Sequence, residues 1–237
     1  MLKTEGLNQK RAMEKSETNL EEKSFGNCSI SFLEKVFGLR QVDTHHVLTD
    51  WLDLAKKQEI TQTEELVLPI FQKSLITNVS SWYEQDLSLH FIGPIFSLIN
   101  FTEPYVYNIF AERSISSVLT KMDGTKINLY GKPDEMIASG FREPEAPFFC
   151  FQEFKRETDP NGDPIAQALA AMLVGQAINE NRYPMYGCYV LGRDWYFMTL
   201  IDQKFCISRG FDATTENIFE LLKVLKALKE IVKKLTA

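Results

Sequence analysis

The segment Pro147–Lys155, reading PFFCFQEFK, constrains this chain more than any other. It is dense in phenylalanine, offers no polar helical face, and suits a strand buried inside a sheet. The residues just beyond it set its partners. Asp159-Pro160-Asn161-Gly162-Asp163-Pro164 is a turn that runs straight into a helix start. Asp163 suits the N-cap, because its carboxylate can accept a free first-turn amide. Pro164 suits the first helical position, where no amide donor is needed. The helix is predicted over residues 165–179, with Ala168, Ala171 and Met172 packing closely. Strands are predicted over Met185–Leu191, 195–201 and 205–208, the first two joined by the tight turn Gly192-Arg193-Asp194. Upstream, 114–120 and 126–139 read as a hairpin around Asp123-Gly124.

Before Asn100 the pattern is helical. Phe32, Val36 and Phe37 predict a short helix ending near Gly38. Thr49 is a candidate cap for a helix through Trp51, Leu52 and Leu54. Thr63 is a candidate cap for another, with Leu66, Ile70, Phe71, Leu75 and Ile76 as its apolar stripe and Pro69 bending or shortening it. Ser81 and Glu84 fit a capping box ahead of Leu87, Phe91, Ile95 and Leu98, with a kink at Gly93-Pro94. The chain closes on an amphipathic helix. Ile218, Leu221, Leu222, Leu225, Leu228, Val232 and Leu235 share one face, and Lys223, Lys226, Lys229, Lys233 and Lys234 lie mostly on the other. That lysine face reads as a solvated surface more readily than as a track for DNA, and the apolar face could equally serve a homodimer contact. Residues 1–27 are polar and charged and are expected to form a mobile arm. The fold class expected for 28–237 is therefore a single α/β domain: a central mixed sheet flanked by helices, with a helical N-terminal section.

Composition narrows the chemistry. With 237 residues, 44% of them hydrophobic, a sizeable core is affordable. No apolar run is long enough to span a bilayer, and 1–23 lacks the apolar centre of a signal peptide, so the cytoplasm is the expected location. The four cysteines are widely spaced with no Cys-x-x-Cys pair, which argues against a zinc ribbon or a disulfide scaffold. Histidines number three, so any metal should be a hard cation held by carboxylates. The net charge of −6 weighs against constitutive nucleic-acid binding, which draws most of its affinity from phosphate neutralisation.

Chemistry concentrates at one strand end. Regular alternation would put Phe149, Phe151, Glu153 and Lys155 on the same face, so a carboxylate and an ammonium emerge past two buried rings. A charged couple there is costly unless something binds it. The preceding strand carries Gly131-Lys132-Pro133-Asp134, where Pro133 marks an edge or a bulge. If the two strands are neighbours, Asp134 approaches Glu153, and a divalent cation would relieve their repulsion. Glu135 would then point to the opposite face, and Lys132 reads as merely exposed.

Pro133-Asp134 and Glu153-Phe154-Lys155, separated by eighteen residues, resemble the signature of the PD-(D/E)XK nuclease superfamily. The resemblance runs from about Ser81 to Ile201. It implies a magnesium-dependent nuclease, with Mn2+ able to substitute, that cleaves DNA and leaves a 3′-hydroxyl and a 5′-phosphate. Asp134, Glu153 and the backbone carbonyl of Phe154 would hold the metal, and Lys155 would orient or deprotonate the attacking water. Glu84 matches the extra acid that the family's first helix often supplies, although it also fits as the closing residue of a capping box. Gln167 matches the glutamine that some branches place near the lysine, although a polar residue in a first helical turn commonly faces water. The alternative is a catalytically silent fold of this kind acting as a protein- or nucleic-acid-binding subunit.

Overall fold

The structure, a computed structural model, describes residues 20–155 and 163–237, with the backbone alone for 150–155. An eight-stranded mixed sheet forms its centre, and the sheet's path runs β2-β10-β9-β8-β7-β6-β3, with β11 pairing on β9. The strands are β2 (Arg40–Gln41), β3 (Tyr107–Ala111), β6 (Glu135–Ser139), β7 (Pro147–Lys155), β8 (Met185–Leu191), β9 (Asp194–Ile201), β10 (Lys204–Ile207) and β11 (Phe211–Asp212). A smaller sheet of three strands joins β1 (Glu21–Ser24), β5 (Lys126–Gly131) and β4 (Ile115–Thr120). The helices are α1 (Ile30–Phe37), α2 (His46–Ala55), α3 (Gln62–Asn78), α4 (Glu84–Leu87), α5 (Gly93–Ile99), α6 (Pro164–Ile178) and α7 (Asn217–Leu235). The expected mixed sheet flanked by helices is what the chain forms.

Alternation sorts the central sheet into two cores. Ile137, Phe149, Tyr186, Cys188, Val190 and Phe197 face one way, against α2, α5 and α7. Met136, Ala138, Met185, Tyr189, Met198 and Leu200 face the other, against the alanine-rich α6 and the small sheet. Trp51 of α2 is completely buried in the first core, and its indole N–H donates to the carbonyl of Val224 on α7 at 2.9 Å. That bond contributes about 1 kcal/mol net and holds the two helices in one register. Parallel pairing of β7 with β8 is made possible by α6 crossing between them. Asp163 caps α6 as expected: Oδ1 accepts from the amide of Ala166, while Oδ2 accepts from the amide of Ile30 at the start of α1.

Several expectations need correction. The charged arm expected over 1–27 does not describe residues 21–27, for Glu21–Ser24 pairs in parallel with β5 and Phe25 is buried. Phe25 lies flat on Gly131; a Cβ there would come within 2.2 Å of its ring, so the strand can dock only over a glycine. Residues 1–19 lie outside the described residues. The return strand expected over 126–139 is two strands in two sheets, β5 and β6, divided at Lys132-Pro133-Asp134. Pro133 lacks the amide a continuous ladder would use, and the break redirects the chain. An unexpected strand, β3, pairs with β6 to form the sheet edge.

Helix caps differ from expectation for identifiable reasons. His45 rather than Thr49 caps α2, its Nδ1 accepting from the amide of Val47. Thr61 rather than Thr63 opens α3 through a reciprocal box with Glu64. Pro69 sits inside α3 without ending it, and the stripe expected on that helix faces water in part, since Leu66, Ile70 and Ile76 are exposed. Tyr83 precedes α4, with Asp86 rather than Glu84 bonding back to its amide. The Ser81 hydroxyl donates instead to the carbonyl of Asn78, at the end of α3. The kink foreseen at Gly93-Pro94 takes the form of a π turn over Ser88–Ile92, immediately ahead of the proline that cannot donate.

The closing helix also behaves differently from a plain solvated surface. Lys226 reaches Glu64 at 2.8 Å and the carbonyl of Glu59, while Lys229 donates to the carbonyl of Ile99 at 2.8 Å. Burial raises the Glu64 pKa, but the bonds from Lys226 and from Thr61 outweigh it and hold the carboxyl below its ordinary value. These lysines therefore tie α7 to α3 and α5 and are not arrayed for phosphate. No helix among the described residues is long and apolar enough to cross a membrane.

Candidate active site

Four carboxylates line one cleft at an end of the central sheet. β6 and β7 are antiparallel neighbours, with Glu135 opposite Phe151, Met136 opposite Cys150 and Ile137 opposite Phe149. The ladder ends there: Asp134 precedes β6, one residue before Glu135, while β7 runs on through Glu153 to Lys155. The start of β6 and the outer part of β7 thus lie at the same end of the central sheet. Open α/β sheets bind ligands at the carboxyl ends of their parallel strands, and here that is the end of β7.

Asp134 is placed by the break before it. Pro133 is buried, Asp134 lies in a bend rather than in β6, and its carbonyl accepts from the amide of Glu112 at 2.9 Å. Glu112 itself adopts a left-handed backbone, φ 50°, as β3 ends. From the facing helix, Glu84 and Ser88 complete the wall. The resulting cleft has a volume of about 300 Å³ and is lined by Glu84, Ser88, Leu89, Glu112, Asp134 and Glu135 among others.

Glu135 is the most perturbed acid. Its Oε2 is buried and has no hydrogen-bond partner among the described residues. Burial first, and then the neighbouring charges of Asp134 and Glu112, pushes its carboxyl up to about 8. A buried carboxylate oxygen without a donor is costly to keep charged, so the group either holds a proton or needs a cation beside it. The donor set is all hard oxygen, which fits magnesium or manganese and not a soft metal. Among the described residues, however, no three Asp, Glu, His or Cys side chains converge tightly enough to hold a metal by themselves.

Of the residues singled out in the sequence, Asp134 and Glu84 are brought to the same cleft. Glu84 is exposed on the first turn of α4 and does not close a capping box. Gln167 does not line the cleft. It sits half-buried on α6, on the opposite side of the sheet, with its Oε1 facing Gly26. The side chains of Glu153, Phe154 and Lys155 lie outside the described residues. Their backbone continues β7 in register with β8, Phe154 opposite Val190 and Lys155 opposite Leu191, but the register shifts between Phe151 and Phe154.

No family model matches the chain, and no curated protein matches it.

Two of its acids escape a reading of the sequence alone. Alternation counted from Asp134 sends Glu135 to the far face, yet Asp134 lies before the strand and imposes no alternation on it. Counting back from buried Ile137, which shares its face with Phe149, gives the face that Glu135 occupies. Glu112 has no local signal, because the strand that delivers it is not evident in the sequence pattern.

Proposed function

We propose that this chain is a metal-dependent nuclease of the PD-(D/E)XK type that hydrolyses DNA phosphodiester bonds. The observation that carries the reading is the convergence of Asp134 with Glu84, Glu112 and Glu135 on the strand end beside which the Glu153-Phe154-Lys155 segment runs. Asp134 and Glu153, with the carbonyl of Phe154, are the proposed holders of magnesium, and the remaining acids tune the charge around them. When bound, the ion supplies Lewis-acid polarisation of a phosphate oxygen and a lowered pKa for the attacking water. Lys155 orients that water or takes its proton, and its ammonium opposes charge accumulating on the phosphoryl oxygens. The water oxygen forms the new bond to phosphorus as the bond to the 3′ oxygen breaks. The proton lost by water is matched by one gained at the 3′ oxygen, leaving a 3′-hydroxyl and a 5′-phosphate.

Cleavage of plasmid and oligonucleotide DNA with magnesium or manganese tests this reading. Wild type should yield products only with metal, and Lys155→Ala should lose them. Metal-independent cleavage, or a Lys155→Ala variant as active as wild type, would refute it.

A second reading has one observation in its favour: the net charge of −6 weighs against tight nucleic-acid binding. On that reading the fold serves as a catalytically silent binding subunit. It predicts no metal-dependent product from any nucleic acid, so the same assay separates the two.

A further inference from the structure

The acidic cleft does not end at Glu135. On the other side of that residue a second cleft of about 400 Å³ continues between α5 and the β3 edge, and Ala111 and Glu135 belong to both. The two halves differ in chemistry. Among the residues lining the second half, Glu135 at the junction is the sole charged one. Its walls are apolar, with Phe96 and Ile109, and its rim carries the hydroxyl of Ser97 and the amide of Asn100. Asn100 is held in a left-handed conformation, φ 58°, where α5 ends.

Resting on the nuclease reading, we propose that this second cleft receives one unpaired base of the substrate strand, immediately beside the phosphate held at the acidic half. The division of charge selects that occupant. A phosphate could approach the acidic half only with a cation bound there, whereas a base is neutral, presents two apolar ring faces, and carries edge donors and acceptors that an amide and a hydroxyl can meet. The volume falls in the range of small-ligand pockets and accommodates a single nucleoside unit, not a stacked pair. A base within an intact duplex is held in its stack and cannot enter such a slot without being extruded. The preferred substrates are consequently single strands, flaps and mismatched sites, with fully paired blunt duplex cleaved poorly.

The experiment compares wild type and Ser97→Trp on three magnesium-containing substrates: a single-stranded oligonucleotide, the same oligonucleotide with an abasic site at the cleavage position, and a blunt duplex. Ser97 is exposed, so the indole fills the second cleft without entering the core. Wild type should prefer the single strand over the duplex. Ser97→Trp should raise KM for the intact single strand on the order of tenfold, as expected when one base contact is lost, with a much smaller change in kcat. On the abasic oligonucleotide the two proteins should have equal KM. Should Ser97→Trp fail to fold, Asn100→Gly preserves the left-handed backbone and should raise KM in the same selective way. Equal wild-type rates on single strand and duplex, or a KM shift that persists on the abasic substrate, would overturn the base slot while leaving the nuclease standing. Absence of any cleavage by wild type would remove the nuclease reading, and the slot with it.

Discussion

Asp134→Ala should lower magnesium-dependent cleavage on the order of 10²- to 10³-fold while leaving the fold intact. The loss is sized as that of weakening the hold on the ion that would stabilise charge developing in the transition state. Survival of the fold rests on how Asp134 is held. Buried Pro133 and a main-chain bond, the carbonyl of Asp134 accepting from the amide of Glu112 at 2.9 Å, anchor the backbone here, and an alanine retains both. Circular dichroism and thermal unfolding of the variant should match wild type closely. A variant that folds and cleaves at an undiminished rate would show that Asp134 does not belong to the reacting centre.

The second large effect concerns stability and pH. Glu135 has an ordinary value of 4.5 and is pushed up to about 8 in the folded protein, by burial and then by Asp134 and Glu112. Between those two values the folded state keeps a proton that the unfolded chain has released, so folding loses stability as pH rises through this window. Glu135→Gln removes that dependence. In the presence of a chelator the variant should be about as stable as wild type near pH 5 and more stable above pH 8. The gain should be roughly 2–3 kcal/mol, below the full linkage value because the group is partly exposed. For a chain of this size that corresponds to a rise in Tm of roughly 4–12 °C. Parallel stability curves for the two proteins between pH 5 and pH 8.5 would contradict the account. A site that keeps an ill-satisfied acid at its centre trades stability for function, and a substitution that stabilises here should also weaken metal binding.

The two predictions mark where the sequence was legible and where it was not. Strongly local signals read true. The phenylalanine-rich strand, the Asp163-Pro164 helix start, the β8–β9 hairpin and the amphipathic face of α7 each rest on residues whose preferences agree with their surroundings. Boundaries set by competition read less well. His45 displaced Thr49 as a cap, and Thr61 displaced Thr63, because each helix begins earlier than expected and takes the threonine inside it. Lys226 and Lys229 look like solvated residues until α3 and α5 supply Glu64 and the Ile99 carbonyl.

The candidate site divides along the same line. Asp134 is visible because Pro133 announces a break in a strand. Glu135 is lost to a phase error: side-chain alternation has meaning only within the ladder, and the ladder begins one residue after Asp134. Glu112 depends on long-range pairing, since it is brought in by β3, a five-residue edge strand whose only partner strand among the described residues is β6. The slot beyond Glu135 could not have been read from sequence at all, because it exists only where α5 crosses the end of that edge strand.

Diffraction from crystals soaked in manganese would test the central claim most directly, using the anomalous signal of the ion. The account predicts one peak at the start of β6, with Asp134 and Glu153 both within about 2.0–2.2 Å of it, as hard-oxygen ligation of a small divalent ion demands. A peak bound elsewhere, or none at saturating manganese, would contradict it.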